Sequence, residues 1–201
     1  MRIIAGKHRT RILLAPEGRE TTRPITDRVK QSLFDRLSAG GLIEDAVVLD
    51  AFCGTGSLGL ECVSRGAKHV TFIERDRKVR ALLQENLAAL KEEKVTSVIN
   101  CDVLSPMFVH VLPPERYSLI FMDPPYKMLD PGRPREQLFQ SITSLADVAS
   151  DDATVVLRTS KHADVPAIPG WSGPDAHAYG SMVVHLFQRP NRESGEVHDQ
   201  D

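Results

Sequence analysis

Short, nearly continuous apolar runs alternate along the chain with segments whose apolar residues recur at helical spacing. The apolar runs cover residues 46–49, 70–73, 95–99, 117–122 and 154–157, and a further run covers residues 181–187. Strands that are apolar at almost every position are typical of parallel sheets with both faces covered. The pattern therefore predicts an α/β fold with a mostly parallel sheet, in which the run at 181–187 forms the last, antiparallel strand.

The segments between these runs predict helices with recognisable ends. Thr26 and Asp76 are suited to cap the helices that follow them, because their side-chain oxygens accept hydrogen bonds from first-turn amides. The helix after the glycine-rich segment is expected to end near Gly66. Two further helices are predicted over residues 103–111 and 134–148.

Charge is distributed unevenly along the chain. The formal net charge is −2, but residues 1–36 contain nine Lys or Arg and four Asp or Glu, so this part carries +5 and the remainder −7. We expect a basic, β-rich N-terminal appendage over residues 1–24, one α/β domain over 25–189 and a disordered acidic tail over 190–201. A basic arm on an acidic body is typical of a polyanion-binding protein, and a solvated charged surface is the alternative.

Several classes of protein are disfavoured by composition. The chain has no stretch of 18 apolar residues, and its first residues lack an apolar signal core, so we expect a cytoplasmic protein without a membrane partner. Cys53, Cys62 and Cys101 show no CxxC or Cys/His ligand spacing, so we expect reduced cysteines and no metal.

The clearest chemical motif follows the apolar run 117–122 directly. It consists of Asp123, Pro124, Pro125 and Tyr126. The Asp123 carboxylate and the Pro124 carbonyl can accept hydrogen bonds from an exocyclic amine, while the two prolines stiffen the loop. Tyr126 offers a flat face on which a base can stack. The motif predicts methyl transfer to a nucleobase amine, with a proline-rich turn that merely closes a strand as the alternative.

A glycine-rich loop at residues 50–59 marks a candidate cofactor site. Gly54, Gly56 and Gly59 form a GxGxxG pattern, and Glu74 follows at the end of the second run, where it can bind ribose hydroxyls. A dinucleotide would satisfy the same pattern. However, a carboxylate at Asp50 would repel a pyrophosphate and suits a ligand with an ammonium and a sulfonium group.

We therefore predict S-adenosyl-L-methionine as the cofactor. Asp102, which follows the third run, is placed to accept a hydrogen bond from the adenine amino group, although a simple turn-capping role is the alternative. The predicted cofactor-binding set is Asp50, Phe52, Gly54, Gly56, Glu74, Asp102 and Val103.

In combination, these motifs resemble the class I S-adenosylmethionine-dependent methyltransferases that methylate amines. The segments 2–9, 23–29, 58–67, 86–87 and 179–181 are more closely similar to the bacterial 16S rRNA guanine-N2 methyltransferases. This resemblance implies a Rossmann-like seven-stranded sheet and methylation of one guanine N2 in 16S rRNA of the small ribosomal subunit. The chain departs from the family at Ile25, where a threonine is usual, and at Arg158, where an acid is frequent.

Base extrusion from structured RNA requires contacts to the phosphate backbone elsewhere. The predicted RNA-binding residues are Arg2, Lys7, Arg9, Arg11, Arg23 and Arg28. Arg23 or Arg28 could instead brace the motif loops through an ion pair. We expect a monomer. For the function of the protein, three alternatives to rRNA methylation remain. They are a DNA adenine-N6 methyltransferase, a nicotinamide-dependent oxidoreductase and a non-catalytic ribosome assembly factor.

Overall fold

A computed structural model describes residues 1–16 and 25–190, and Arg23 and residues 191–201 of the predicted tail lie outside this part. Its helices are α1 (Asp27–Ala39), α2 (Ser57–Ser64), α3 (Arg77–Leu90) and α4 (Arg133–Ser144). Its strands are β1 (Val47–Asp50), β2 (His69–Ile73), β3 (Thr96–Ile99), β4 (Tyr117–Met122), β5 (Ala149–Ser160), β6 (Ser172–Tyr179) and β7 (Met182–Gln188). Within the described ranges, no helix is long and apolar enough to cross a membrane.

All seven strands form one sheet in the order β3-β2-β1-β4-β5-β7-β6. The first five strands run parallel to their neighbours, and β7 pairs antiparallel with both β5 and β6. The predicted fold class is confirmed: a mostly parallel sheet whose last strand is antiparallel.

Hydrophobic cores cover both faces of this sheet, as the continuous apolar runs predict. Adjacent residues of β1 show the alternation, because Val48 belongs to one core and Leu49 to the other. The first core packs β1, β2 and β4 against α1, α2 and α3, and the second packs the opposite face against α4 and Trp171. This layering leaves the carboxyl ends of the parallel strands open at one edge of the sheet.

The predicted helix caps are confirmed, whereas one predicted helix is wrong. Thr26 accepts a hydrogen bond from Val29 N, and Asp76 accepts from the amides at positions 78 and 79. The helix expected over 103–111 does not form, since only Phe108–Val111 forms a 3-10 turn. Pro106 explains this, because it has no amide N–H and disfavours helical backbone before it.

At the C-terminal side, the sheet is larger than the apolar runs indicate. β5 spans Ala149–Ser160, well beyond the predicted 154–157, and the apolar-run pattern did not reveal β6. Most residues of β6 are exposed, because it is an edge strand, so its sequence lacks the apolar alternation on which strand prediction depends.

The N-terminal residues 1–14 fold back on themselves and pack along α2. Arg2 and Ile12 form an antiparallel bridge, and the side chains of Ile3 and Leu13 are buried in the first core. At the turn, Lys7 N donates to the Ser64 carbonyl at 2.8 Å. We refer to residues 1–14 as the N-terminal arm.

The contact at Gly6 shows how closely this arm approaches α2. A Cβ at Gly6 would stand only 1.8 Å from the Ser64 carbonyl oxygen, so no other residue is accommodated without displacement of the backbone. His8 N donates to Ser64 Oγ at 2.9 Å, and Ser64 Oγ donates to the Ala5 carbonyl. The similarity of segments 2–9 and 58–67 to one family therefore has a structural basis, because these segments form one interface.

A buried charge cluster holds the arm to the body of the protein. Glu61 on α2 is fully buried, and its carboxylate accepts hydrogen bonds from Ile4 N at 2.8 Å and Ala5 N at 3.0 Å. The same carboxylate pairs with Lys30 Nζ at 3.0 Å and Arg65 Nε at 2.8 Å. Two cations and two amides thus share one buried anion.

Candidate active site

A cavity of about 470 Å³ lies at the edge of the sheet where the parallel strands end. This volume is in the range of about 300–1,000 Å³ that is typical of small-molecule sites. The glycine-rich loop after β1 and the residues that follow β2, β3 and β4 form most of its wall. Met1, Ala15, Pro16 and Ile25 complete the lining, so the start of the chain and the segment after the arm contribute to the cavity.

Backbone hydrogen bonds fix the glycine-rich loop against the neighbouring strands. Ala51 N donates to the Phe121 carbonyl at 3.0 Å, and Cys53 N donates to the Ile73 carbonyl at 3.1 Å. The loop is therefore attached to both β4 and β2, the strands on either side of β1. This attachment fixes the position of the loop residues that line the cavity.

Asp50 is the buried acid of this loop. Its Oδ2 accepts a hydrogen bond from Gly59 N at 2.8 Å, while its buried Oδ1 has no hydrogen-bond partner among the described residues. Burial, with smaller contributions from Asp123 and Glu74, raises the pKa of Asp50 to about 7. An incompletely satisfied carboxylate of this kind favours a cationic or hydrogen-bond-donating ligand.

Gly54 and Gly56 have different surroundings. A Cβ at Gly54 would meet no atom within 4 Å, and Gly54 lines the cavity, so a small residue here leaves space for a ligand. A Cβ at Gly56 would lie 2.5 Å from Leu83 Cδ1, and Gly56 has φ +87° at the start of α2. Gly56 thus shapes the turn and packs against α3, whereas Phe52 and Gly54 line the cavity directly.

The acids that follow β2 and β3 each have a hydrogen-bond partner close by in the chain. Glu74 Oε1 accepts a hydrogen bond from Asp76 N at 2.7 Å. Asp102 accepts from Leu104 N through Oδ1 and from Arg75 Nη1 through Oδ2 at 2.7 Å. Glu74, Asp102 and Val103 all line the cavity, as their proposed cofactor roles require. The turn-capping interpretation of Asp102 is also consistent, since its side chain performs that function here.

Electrostatics favour a cationic ligand. Five acids line the cavity, namely Asp50, Glu74, Asp76, Asp102 and Asp123, against two arginines, Arg75 and Arg158. Because the walls exclude part of the solvent, this excess of negative charge attracts cations and disfavours a pyrophosphate.

The motif after β4 contributes Asp123 and Pro125 to the cavity lining. Pro124 is buried, and Tyr126 begins a 3-10 turn and packs against the second core. The Tyr126 hydroxyl is buried and has no hydrogen-bond partner within the described residues. The structure thus brings Asp123 together with most of the predicted cofactor residues, whereas Pro124 and Tyr126 follow Asp123 in the chain but are not part of the cavity lining.

Arg158 on β5 forms a two-point ion pair with Asp123. Nε donates to Oδ1 at 2.5 Å, and Nη2 donates to Oδ2 at 2.8 Å. Burial raises the pKa of Asp123 above its usual value, and the Arg158 guanidinium opposes this rise. The sequence motifs assign no role to Arg158, although its departure from the resembled family is a signal that could have found it.

The predicted RNA-binding residues lie along the arm and at the start of α1. Arg2 pairs with Asp27 at 2.7 Å, and Lys7 pairs with Glu92 at 2.8 Å. Of the predicted set, Arg9, Arg11 and Arg28 are exposed and have no ion pair among the described residues. Since α2 extends about 12 Å from the cavity to the arm turn, Lys7 and Arg9 lie away from the cavity.

Arg28 lines a second cavity, which lies between the start of α1 and the turn that joins β6 to β7. The volume of this cavity is about 500 Å³. Tyr179, Gly180 and Ser181 line its other side. In the described part of the chain, no group of three or more His, Cys, Asp or Glu is arranged to hold a metal ion.

Comparison with known proteins identifies close relatives over nearly the whole chain. A family model described as conserved hypothetical protein 95 matches residues 1–188. Ribosomal RNA small subunit methyltransferase D of Escherichia coli is 35% identical over 94% of this chain and 90% of the relative. The putative rRNA methyltransferase YlbH of Bacillus subtilis is 32% identical over 85% of this chain and 88% of the relative.

Among solved structures, the putative methyltransferase yhhF from Escherichia coli matches with a TM-score of 0.76 and 33% identity. The match covers 96% of this chain and 99% of that one. The similarity therefore includes the N-terminal arm as well as the cavity.

Proposed function

Because this chain belongs to the family of the ribosomal RNA small subunit methyltransferase D proteins, we propose that it methylates the exocyclic N2 of one guanine in 16S rRNA. The methyl donor is S-adenosyl-L-methionine, and the acceptor is the small ribosomal subunit. The observation that carries this proposal is the shared cavity, in which Asp123 of the amine-binding motif lies with the glycine-rich loop and with Glu74.

The cavity residues are suited to this cofactor. The unpartnered Oδ1 of Asp50 and the net negative lining favour a ligand with ammonium and sulfonium groups. Gly54 leaves open space beside the loop, Glu74 can accept from ribose hydroxyls, and Asp102 with Val103 would hold the adenine. When bound, S-adenosylmethionine supplies an electrophilic methyl group at its sulfur.

The protein contributes mainly by holding and orienting the guanine amine. A guanine N2 is a weak nucleophile, because its lone pair is delocalised into the ring. Hydrogen bonds from N2 to the Asp123 carboxylate and the Pro124 carbonyl would orient the amine toward the methyl group, so much of the rate comes from proximity. The N2 proton leaves as the N–C bond forms, and Asp123 or water accepts it. Tyr126 would stack on the extruded base.

The substrate is proposed to bind across the basic N-terminal segment. Arg9, Arg11 and Arg28 are exposed and free of ion pairs among the described residues, so they are available for phosphates. Arg2 and Lys7 can exchange their exposed ion pairs for phosphate contacts at low cost, since such pairs contribute little stability.

The test measures transfer of a labelled methyl group to three acceptors side by side. These are small subunits from cells that lack the enzyme, naked 16S rRNA and unmethylated DNA. Label on the subunit that is recovered as N2-methylguanosine supports the proposal. Label on DNA as N6-methyladenine would retain the amine chemistry and establish the DNA alternative, and label on none of the acceptors would contradict both.

A further inference from the structure

Arg158 is placed beside Asp123 by the register of two parallel strands. Met122 on β4 pairs with Leu157 on β5, so Asp123, the first residue after β4, lies next to Arg158, which is still within β5 and pairs with Val184 of β7. Two hydrogen bonds then join the guanidinium to both carboxylate oxygens. A contact at two points fixes the plane of a carboxylate, whereas a contact at one point allows it to rotate.

The same guanidinium also lies close to the aromatic ring of the motif. Arg158 Cζ is 5.7 Å from the centroid of the Tyr126 ring, within the distance at which a cation is attracted to an aromatic face. One side chain therefore contacts both Asp123 and Tyr126.

Burial distinguishes the Arg158–Asp123 ion pair from the Arg75–Asp102 ion pair of the same cavity. Arg158 is only 5% exposed, and the side chain of Asp123 is 18% exposed. In the pair of Arg75 with Asp102, the side chains are 58% and 41% exposed. Solvent screens the second pair far more than the first, so only the first can hold a carboxylate firmly in one orientation.

We propose that Arg158 is a positioning residue for methyl transfer, whose guanidinium fixes the Asp123 carboxylate and the Tyr126 ring before the guanine enters. This inference rests on the proposed function. Each carboxylate oxygen keeps a second lone pair, so Asp123 can accept from the guanine amine while it remains bound to Arg158. Arg158 acts through Asp123 and Tyr126.

The experiment compares the wild type with Arg158→Met, Arg158→Lys and a matched control, Arg135→Met. Arg135 also pairs with an aspartate, Asp164, and lies 5.1 Å from an aromatic ring, Phe139, but it does not line the cavity. Transfer to small subunits is followed for kcat and KM. We expect Arg158→Met to lower kcat about 100-fold with little change in KM, since small misplacement of reacting groups has effects of this size. Arg135→Met should leave both values unchanged.

Two further measurements separate positioning from a purely structural role. A plot of kcat against pH should fall at low pH, where Asp123 becomes protonated; we call this fall the acidic limb. Loss of the cation beside Asp123 raises the pKa of its carboxyl group, so the acidic limb moves to higher pH in Arg158→Met. The ¹³C chemical shift of the Asp123 carboxyl carbon, followed against pH without any substrate, gives the pKa of this group directly. The midpoint of this titration should also lie at higher pH in Arg158→Met than in the wild type. Arg158→Lys retains the charge without the planar fork, so its acidic limb stays near that of the wild type while kcat remains reduced.

Each result then has a definite meaning. A wild-type value of kcat in Arg158→Lys would overturn the inference. So would an Arg158→Met variant in which Asp123 titrates as in the wild type and only the thermal stability is lower. If Arg158→Met does not fold, the lysine variant alone decides through its kcat. Failure of the wild type to methylate any acceptor would instead contradict the proposed function, and the carboxyl titration would still test how Arg158 acts on Asp123.

Discussion

Replacement of Glu61 by glutamine should destabilise the protein strongly and release the N-terminal arm. The carboxylate is fully buried and accepts from two amides and two cations. Its Oε1 faces Ala5 N and Arg65 Nε, and its Oε2 faces Ile4 N and Lys30 Nζ. In either orientation of the glutamine side chain, its NH₂ group would face two hydrogen-bond donors and could accept from neither.

The size of the effect follows from the loss of the anion. Lys30 Nζ makes only three hydrogen bonds in the described structure, to the Arg2 carbonyl, Ser57 Oγ and Glu61, and burial lowers the pKa of Lys30. Removal of one partner from a buried ion pair costs about 3–5 kcal/mol. For a chain of this length, each kcal/mol lowers Tm by about 2–4 °C, so the expected fall is about 6–20 °C.

Two measurements check the Glu61→Gln prediction. Urea unfolding gives the free energy of unfolding, and amide hydrogen exchange at Ile4 and Ala5 reports whether the arm remains attached. Glu85→Gln, at an exposed glutamate of α3, is the matched control and should change stability by less than about 0.5 kcal/mol. The reasoning is refuted if Glu61→Gln is as stable as this control, or if the two amides keep their protection.

Two further predictions concern the cofactor and the RNA. Because the pKa of Asp50 is raised to about 7, a cationic cofactor that favours the carboxylate should bind up to about tenfold more tightly at pH 8 than at pH 6. Calorimetry should find this difference in the wild type and not in Asp50→Asn; equal affinities in the wild type would contradict it. Reversal of charge at Arg9 and Arg11 should weaken binding to the small subunit. The slope of the logarithm of the binding constant against the logarithm of the salt concentration should become shallower by about 0.7–0.9 for each phosphate that is no longer neutralised. Unchanged affinity at every salt concentration would remove the arm from the RNA interface.

Much of the fold could be predicted from the sequence because the central strands are buried on both sides. β1, β2 and β4 are buried at nearly every position and consist largely of apolar residues, so their runs are visible without structural information. The carboxyl ends of parallel strands meet at one edge, and this rule alone places Asp50, Glu74 and Asp123 together.

The features that were not predicted depend on partners that are distant in sequence. β6 is an exposed edge strand, so nothing in its own residues indicates that it pairs with β7. The contact of Arg158 with Asp123 requires the register between β4 and β5, which no local pattern specifies. Likewise, Asn86 donates to the Leu14 and Thr55 carbonyls, a bridge between arm and glycine-rich loop that only tertiary packing creates.

The central claim is that Asp123 holds the amine that receives the methyl group. The most direct measurement compares Asp123→Ala with Asp130→Ala, an exposed aspartate close by in the sequence that does not line the cavity. Both variants are assayed for S-adenosylmethionine affinity and for N2-methylguanosine formed on small subunits. We predict that Asp123→Ala still binds the cofactor, because Asp50, Glu74 and Asp102 remain in the cavity, but transfers no methyl group, while Asp130→Ala behaves as the wild type. Undiminished N2-methylguanosine formation by Asp123→Ala would contradict the account.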